Sequence, residues 1–460
     1  MRKYLILPVL LLAGACSMAP KHVRPEQPVP SVYTPAFADT VSGITAPKLG
    51  WREFVADPRL EALITTALEN NRDLRIAIAQ IEEARGLYRI QRADRLPTVG
   101  ITGSAARAQG LETGGLEIDR ASIGVGVASF ELDLWGRVRN LSESARAQYL
   151  ATVAGQRAVQ LSLIRQVAAT YLATLEAAER VRLAEATVES RRDGLRIAEV
   201  RYNSGITSAL DFRQAESLLT QAEAQLAALR LAQAQAQNAL AVLIGAQIDT
   251  ASLPAALPLE QQTSAYALAP GLPSDLLVTR PDIIAAEERL RAARANIGVA
   301  RAAFFPRIAL TGNLGFASTD LNNLFGDDSE AWSFGPTLNL PLFDFGRNRG
   351  NLTVAEAREN IAVANYEKTV QTAFREVSDA LAGRRYLADQ VAAQERSVQA
   401  QREIAELARL RYNEGVVSYL EVLDAERNLF QAEQNLIQLR RAEAENLVSL
   451  YVVLGGGLIE

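Results

Sequence analysis

The sequence predicts a mostly α-helical chain that also carries membrane β-strands. A strand hairpin and a long helix hairpin occur once in each of two repeats. Three observations carry this reading: an internal repeat at an offset of 210 residues, very long proline-free helical stretches, and paired segments with period-two patterning.

The repeat is visible in four landmarks that keep their order. Arg201-Tyr202-Asn203-Ser204-Gly205 returns as Arg411-Tyr412-Asn413-Glu414-Gly415, and Asp133-Leu134-Trp135-Gly136-Arg137 aligns with Phe343-Asp344-Phe345-Gly346-Arg347. Leu243-Ile244-Gly245 aligns with Val453-Leu454-Gly455, and Leu96-Pro97 with Phe305-Pro306 at one residue less. The organisation that follows is a first repeat over residues 51–245, with a β-hairpin at 97–132 and a coiled-coil hairpin at 140–245. A Pro-rich linker covers 246–281. A second repeat covers 282–455, with its β-hairpin at 306–343 and its helix hairpin at 348–454.

Within each repeat a modest helical segment comes first, Pro58 to Ala93 and Pro281 to Ala303. The strand segments are Pro97 to Gln109 and Arg120 to Leu132, then Pro306 to Ser318 and Ala331 to Phe343, joined by Gly- and acid-rich links. Val99, Ile101 and Gly103 alternate with Gly100, Thr102 and Ser104, and Ile123, Val125 and Val127 alternate with Gly124, Gly126 and Ala128. Phe334, Leu338, Leu340 and Leu342 keep a similar beat. Segments of this length with one apolar and one small or polar face suit a strand between lipid and water. Asn140 to Tyr202 then contains no proline and would run roughly 95 Å as one helix. Leu161, Ile164, Ala168, Tyr171, Leu175 and Ala178 form a coiled-coil seam, and Ala222, Leu226, Leu229, Ala236, Leu240 and Leu243 form the stripe of the return helix.

The N-terminus reads as an address. Residues 1–15 have a basic start and a short apolar run, too short to span a bilayer. Small residues precede Cys16, the single cysteine, which marks it as the lipidation site of a lipoprotein signal. Ser17 follows it, in place of the Asp that favours inner-membrane retention. Residues 16–50 then read as an extended lipidated tether, with His22 solvated within it.

Composition closes most other functions. There are 53 acidic and 48 basic residues, a net charge of −5, with 48% hydrophobic and 22% charged residues. That balance disfavours a nucleic-acid partner. One His and one Cys, both within the first 22 residues, cannot build a zinc cluster, a disulfide or a Ser-His-Asp system. No cofactor, metal site or catalytic site is expected, and no enzyme activity. A hydrolase with two carboxylates would need a concave site that long hairpins do not offer. A structural coiled-coil lipoprotein shares the signal and the helices but has no use for paired strands.

Four strands cannot close into a barrel, and lipid tolerates no open edge. Two copies would give eight strands, filled by their own side chains. Three would give twelve and a water-filled passage, so the chain is expected to be a conduit.

These features, with Trp51-Arg52-Glu53-Phe54, Asp57-Pro58 and Gly271-Leu272-Pro273-Ser274-Asp275-Leu276-Leu277 followed by Arg280-Pro281-Asp282, resemble the outer membrane factor family, the TolC-like channels. The likeness is to its OprM/NodT-type lipoprotein branch and covers the whole mature chain. The resemblance implies a homotrimer in outer-membrane lipid, with a 12-stranded β-barrel and a 12-helix α-barrel reaching into the periplasm. It also implies a periplasmic adaptor of the membrane fusion protein class and an inner-membrane transporter of the RND type. Such a channel is the exit duct for drugs or other small solutes; metal efflux and type I protein secretion use similar tubes. The resemblance places a periplasmic gate at Leu420, Asp424 and Arg427, on one helical face, with Glu421, Asp211 and Tyr412 beside it. The repeat counterpart of Asp424 is Gln214, so its acidic ring would hold three carboxylates. The turns Asn203, Ser204, Gly205 and Asn413, Glu414, Gly415 are the adaptor-contact candidates.

Overall fold

The computed structural model describes residues 17–33, 43–109, 117–247, 253–263, 268–269, 271 and 273–459. Cys16, most of the link after Gln109, and Leu272 lie outside the described residues. Strand β1 (Ile44–Thr45) precedes the first repeat, which holds α1 (Trp51–Phe54), α2 (Pro58–Asn70), α3 (Arg72–Ala93), β2 (Val99–Gln109), β3 (Glu117–Leu132), α4 (Arg137–Asn203) and α5 (Ala209–Ile244). After it come β4 (Leu268–Ala269), α6 (Leu276–Thr279), α7 (Pro281–Ala302), β5 (Arg307–Ser318), β6 (Glu330–Asn339), α8 (Arg347–Asn413) and α9 (Tyr419–Val453). Helices α4 and α8 are 67 residues each, and both their ends are offset by the 210 residues seen in the sequence.

The stretch expected as one helix from Pro58 to Ala93 is two. Asn71 breaks it. Its backbone is extended, its Oδ1 accepts from the Leu74 amide at 3.0 Å, and its Nδ2 donates to the Leu243 carbonyl at 2.7 Å. Asn71 thus starts α3 and ties it to the end of α5. Asp57 does the same for α2, accepting from the Arg59 amide with Pro58 in the first turn.

The chain divides into two compact units. One comprises Met1–Glu26, Ala79–Ala154 and Ile284–Thr369, and the other Gln27–Ile78, Gly155–Ile283 and Val370–Glu460. The first contains an antiparallel four-stranded sheet in the order β2-β3-β5-β6. The central β3–β5 pair joins the two repeats. Cross-strand register places Ile101, Val125, Leu314 and Trp332 in one row, and Val99, Val127, Gly312 and Phe334 in the next. Ile101 and Trp332 are both 77% exposed, so a continuous apolar face is left uncovered by the chain's own described residues. The opposite face carries Thr102, Gly124, Gly315 and Ala331 in one row, and Gly100, Gly126, Asn313 and Ser333 in the next. Small residues are required there. A Cβ on Gly315 would overlap the Ile123 carbonyl and Gly124 Cα, and one on Gly126 would lie 2.9 Å from Asn313 Cα. A bulge between Val127 and Phe130 keeps Phe130 in register with Leu310.

Strand β6 ends at Asn339, short of the expected Phe343, because its partner β5 begins opposite it at Arg307. Leu340, Leu342 and Phe343 are exposed apolar positions beyond the strand, with no strand partner among the described residues. Beyond each strand a carboxylate caps the long helix. Asp133 accepts from the Val138 and Arg139 amides, and Asp344 from the Gly346 and Asn348 amides. The two aspartates do the same work although the aligned motifs place them one residue apart.

The second unit explains the signature residues. Trp51 and Phe54 are buried, and Phe54 stacks on Tyr451 at 4.1 Å while the Tyr451 hydroxyl donates to the Leu49 carbonyl at 2.6 Å. Asp57, fully buried, also accepts from the Tyr171 hydroxyl at 2.8 Å and the Leu257 amide at 3.2 Å. Arg280 bonds Asp282 and Glu376 and donates to the Val453 carbonyl. Leu161, Ile164, Ala168 and Tyr171 are buried as the seam requires, and so are Leu226, Leu229 and Leu240 of the return helix.

The sheet's tight face makes a contrast testable. Gly315→Val should impair folding of the sheet, at a cost of about 1–3 kcal/mol for an overpacked position. Gly103→Val, whose Cβ would meet nothing nearer than the Ser122 carbonyl at 3.8 Å, should not. Yield of folded protein in outer-membrane fractions measures this; equal yields would show that the close β3–β5 approach is unimportant.

Candidate functional site

Two places can do work: the sheet, and the tips where the long helices turn back. The outgoing helices end alike. At the first tip the Gly205 amide donates to the Tyr202 carbonyl and the Ile206 amide to the Arg201 carbonyl, both at 2.9 Å. At the second, the Gly415 and Val416 amides donate to Tyr412 and Arg411 at 3.0 and 2.9 Å. Gly205 and Gly415 are left-handed, with φ of +70° and +74°, the helix stop that glycine permits at least cost. Asn203, Ser204, Asn413 and Glu414 are exposed around these turns.

The return helices start differently. Ser208 and Asp211 form a reciprocal capping box at the start of α5. The Thr207 and Ser208 hydroxyls donate to Asp211 at 2.7 and 2.9 Å and hold its carboxyl below the ordinary carboxylate range. Asp211 therefore fixes the turn. Its counterpart Glu421 does not close such a box; it accepts from Arg411 at 2.7 Å. One turn on, Asp424 and Arg427 pair at 2.9 Å, both more than half exposed, and Leu420 is exposed on the same face. The structure thus places Leu420, Asp424 and Arg427 together on an open surface of α9.

Tyr412 joins the two tips of one chain. Its hydroxyl accepts from Arg201, whose guanidinium lies 4.9 Å from the ring centroid, and its ring rests on Tyr419 at 5.1 Å. A deeper link escaped the sequence reading. Arg191, side chain 5% exposed, donates to Glu426 at 2.7 Å, and Arg409 donates to the other Glu426 oxygen at 2.5 Å. The signal was present: Val181, Ala184, Val188 and Arg191 continue a 3-4-3 seam, and an arginine in a seam needs a buried acid on the facing helix. Nearby, Gly194 leaves the space that the Tyr419 hydroxyl fills. Burial, and then the Glu426 charge, raise the Tyr419 hydroxyl above its ordinary pKa.

A family model described as "Outer membrane efflux protein" matches residues 63–246 and again 272–456. The chain belongs to the outer membrane efflux protein family. It is 45% identical over 469 aligned residues to the solvent efflux pump outer membrane protein SrpC of Pseudomonas putida, covering 99% of this chain and 98% of that one. It is 41% identical to the cation efflux system protein CusC of Escherichia coli K12, covering 98% of each. Its fold superposes on the open state of the Neisseria gonorrhoeae MtrE outer membrane channel with a TM-score of 0.89 and 41% identity, covering 96% of this chain and 99% of that one. This efflux protein is accordingly an outer-membrane channel, a transport protein with the TolC-like fold.

The segment after Cys16 is fastened to this channel protein, and His22 is not solvated as expected. Ser17 Oγ donates to Asn140 at 2.8 Å, and Gly298 admits the Ala19 backbone so closely that a Cβ there would lie 2.7 Å from the Ala19 nitrogen. His22 Nδ1 lies 3.1 Å from Arg294, which can only donate, so Nδ1 accepts and Nε2–H donates to Glu287, also at 3.1 Å. Arg24 and Arg291 also bind Glu287, Arg294 donates to the Val23 carbonyl, and Glu359 holds Arg294. Burial lowers the His22 pKa below 6.5; Arg291 and Arg294 add to the shift and Glu287 opposes it.

A released arm therefore binds a proton more readily than a docked one. Docking should be complete above pH 6.5 and weaken as pH falls through that value. Protease cleavage or hydrogen exchange of residues 17–26 should accelerate on acidification, and His22→Gln should remove that dependence. Protection that is indifferent to pH in the native protein would contradict the docked neutral imidazole.

Proposed function

We propose that three copies of this chain close a 12-stranded barrel in the outer membrane, and that this trimer is the exit duct of a tripartite efflux system. One observation carries the reading: a four-stranded sheet with one apolar and one small-polar face, whose two outer edges have no partner among the described residues. In hydrocarbon every such edge must be paired. A periplasmic adaptor docks at the glycine turns around Asn203–Gly205 and Asn413–Gly415, and an inner-membrane transporter, of the RND type, supplies the solute. Drugs, solvents and other small solutes suit a duct that selects little itself. The identity shared with CusC, a cation efflux system protein, favours metal efflux as the second reading.

Threefold symmetry would turn Leu420, Asp424 and Arg427 into an apolar, an acidic and a basic ring that narrow the periplasmic end. Glu421, Asp211 and Tyr412 shape the tips behind them. Each exposed Asp424–Arg427 pair lies within one helix and is worth a few tenths of a kcal/mol, so it holds no neighbouring copy by itself and either side chain is free to turn to one. Three contacts of similar strength between copies would hold about 1 kcal/mol, and losing them would shift a closed–open equilibrium roughly fivefold. Adaptor contacts made only in the open state would shift it further.

Reconstituted in planar bilayers, the wild-type protein should conduct ions weakly, and Asp424→Ala with Arg427→Ala should raise the conductance severalfold. An assembled trimer with unchanged conductance would remove the gate from these residues. Complete absence of conductance in both proteins would remove the duct.

A further inference from the structure

The seam between the two repeats inside one chain is a template for the seam between chains. Strand β3 pairs with β5 as far as Leu132 opposite Ile308. Three residues beyond Leu132, the Trp135 ring stacks on Phe305 at 4.7 Å and its Nε1 donates to the Pro306 carbonyl at 3.0 Å. Phe305 and Pro306 stand three and two residues before Ile308. In the repeat, Trp135 corresponds to Phe345, and Phe305-Pro306 to Leu96-Pro97. Those counterparts are bare: Phe345 is fully exposed and Leu96 is 70% exposed. The same holds for the positions beside them, Leu342 at 78% and Val99 at 63%. Half of a twice-written contact is made within the chain, and the other half waits for a second copy.

We infer that β6 of one copy pairs antiparallel with β2 of the next in a single register, Leu342 opposite Val99, and that Phe345 seats on the next copy's Leu96-Pro97 as Trp135 seats on Phe305-Pro306. This rests on the trimer reading and adds its contacts. The register follows from the β3–β5 ladder. Strand β3 carries the bulge between Val127 and Phe130, whereas β6 pairs with β5 without a register shift and Phe334, Leu338, Leu340 and Leu342 keep one unbroken alternation, so the β6–β2 ladder runs without a bulge. It sets Leu340 opposite Ile101 and Leu338 opposite Gly103 on the apolar face. On the other face Asn339 meets Thr102 and Thr337 meets Ser104. These five pairs keep apolar against apolar or small residues, and polar against polar, whereas a one-residue slip would mix the faces. The arrangement also supplies the partner that Leu340, Leu342 and Phe343 lack beyond the end of β5.

Directly opposed residues stand close enough for a disulfide. Ser104→Cys should be combined in turn with Gly335→Cys, Thr337→Cys and Asn339→Cys in the full-length protein. Mild oxidation in outer-membrane vesicles should give intermolecular cross-links fastest with Thr337→Cys. Faster cross-linking with either neighbour would overturn the register, and none in a conducting channel would overturn the β6–β2 pairing. The ladder's length reads the trimer separately: cross-linking through Thr337→Cys that extends to some number other than three keeps the seam and sinks the trimer. As a second measurement, Phe345→Ser should lower the temperature at which the detergent-resistant oligomer dissociates, and Phe345→Trp should preserve it. An unchanged dissociation temperature for Phe345→Ser would overturn the seat.

Discussion

The backbone N–H and C=O groups at the edge of a sheet are the constraint on which this structure turns. In water an unpaired edge is solvated; in hydrocarbon each group costs several kcal/mol. The four strands bury one another's central edges and leave two long ones, on β2 and β6. The apolar row through Ile101, Val125, Leu314 and Trp332 rules out water as the environment of that face. Its small-residue face rules out a packed core on the other side, because Gly124, Gly126 and Gly315 have no side chains with which to fill one. Lipid outside, water inside and edges that must close together are the grounds on which we propose a barrel built from several chains.

Duplication meets this constraint with few inventions. The same fasteners recur, a carboxylate cap before each long helix and a left-handed glycine after it. The copies then diverge where one must touch the other. Trp135 has a partner within the chain and keeps an indole N–H to use on it, whereas its counterpart is a phenylalanine. Asp211 closes a capping box, while Glu421 is drawn off to Arg411. Arg201 reaches across to Tyr412, and Arg191 to Glu426. The repeats are alike in their long helices and stop glycines and unequal in polar chemistry.

Much of this was legible in the sequence. The strand segments, the long helices and the stop glycines follow from periodicity and from residues with one dominant backbone preference. What was not legible depended on distant partners. Asn71 reads as a tolerated helix residue until Leu243 stands beside it. Leu340 and Leu342 keep a strand's beat, but a strand needs a neighbour, and β5 stops at Arg307. His22 looked solvated because its three charged neighbours, Glu287, Arg291 and Arg294, are close to it only in the fold. Of the gate candidates, Leu420, Asp424 and Arg427 share a surface as helical spacing requires. The structural duty of Asp211 emerged only with its hydroxyl donors in view.

The strengths of the tip contacts say which parts of the proposed gate could move. Arg191 is buried and shares Glu426 with Arg409, so parting them would strand a charge away from water, at several kcal/mol. Tyr412 adds a hydrogen bond and a cation–ring contact between the same two hairpins. Asp424 and Arg427, by contrast, stand mostly in solvent, and their pair is easily exchanged for water or for another partner. A modest docking energy therefore cannot pull the two hairpins of one chain apart. It can displace them together, breaking only the weak exposed contacts that each would make with a neighbouring copy. If the proposed gate is built this way, its iris opens between protomers and stays rigid within them.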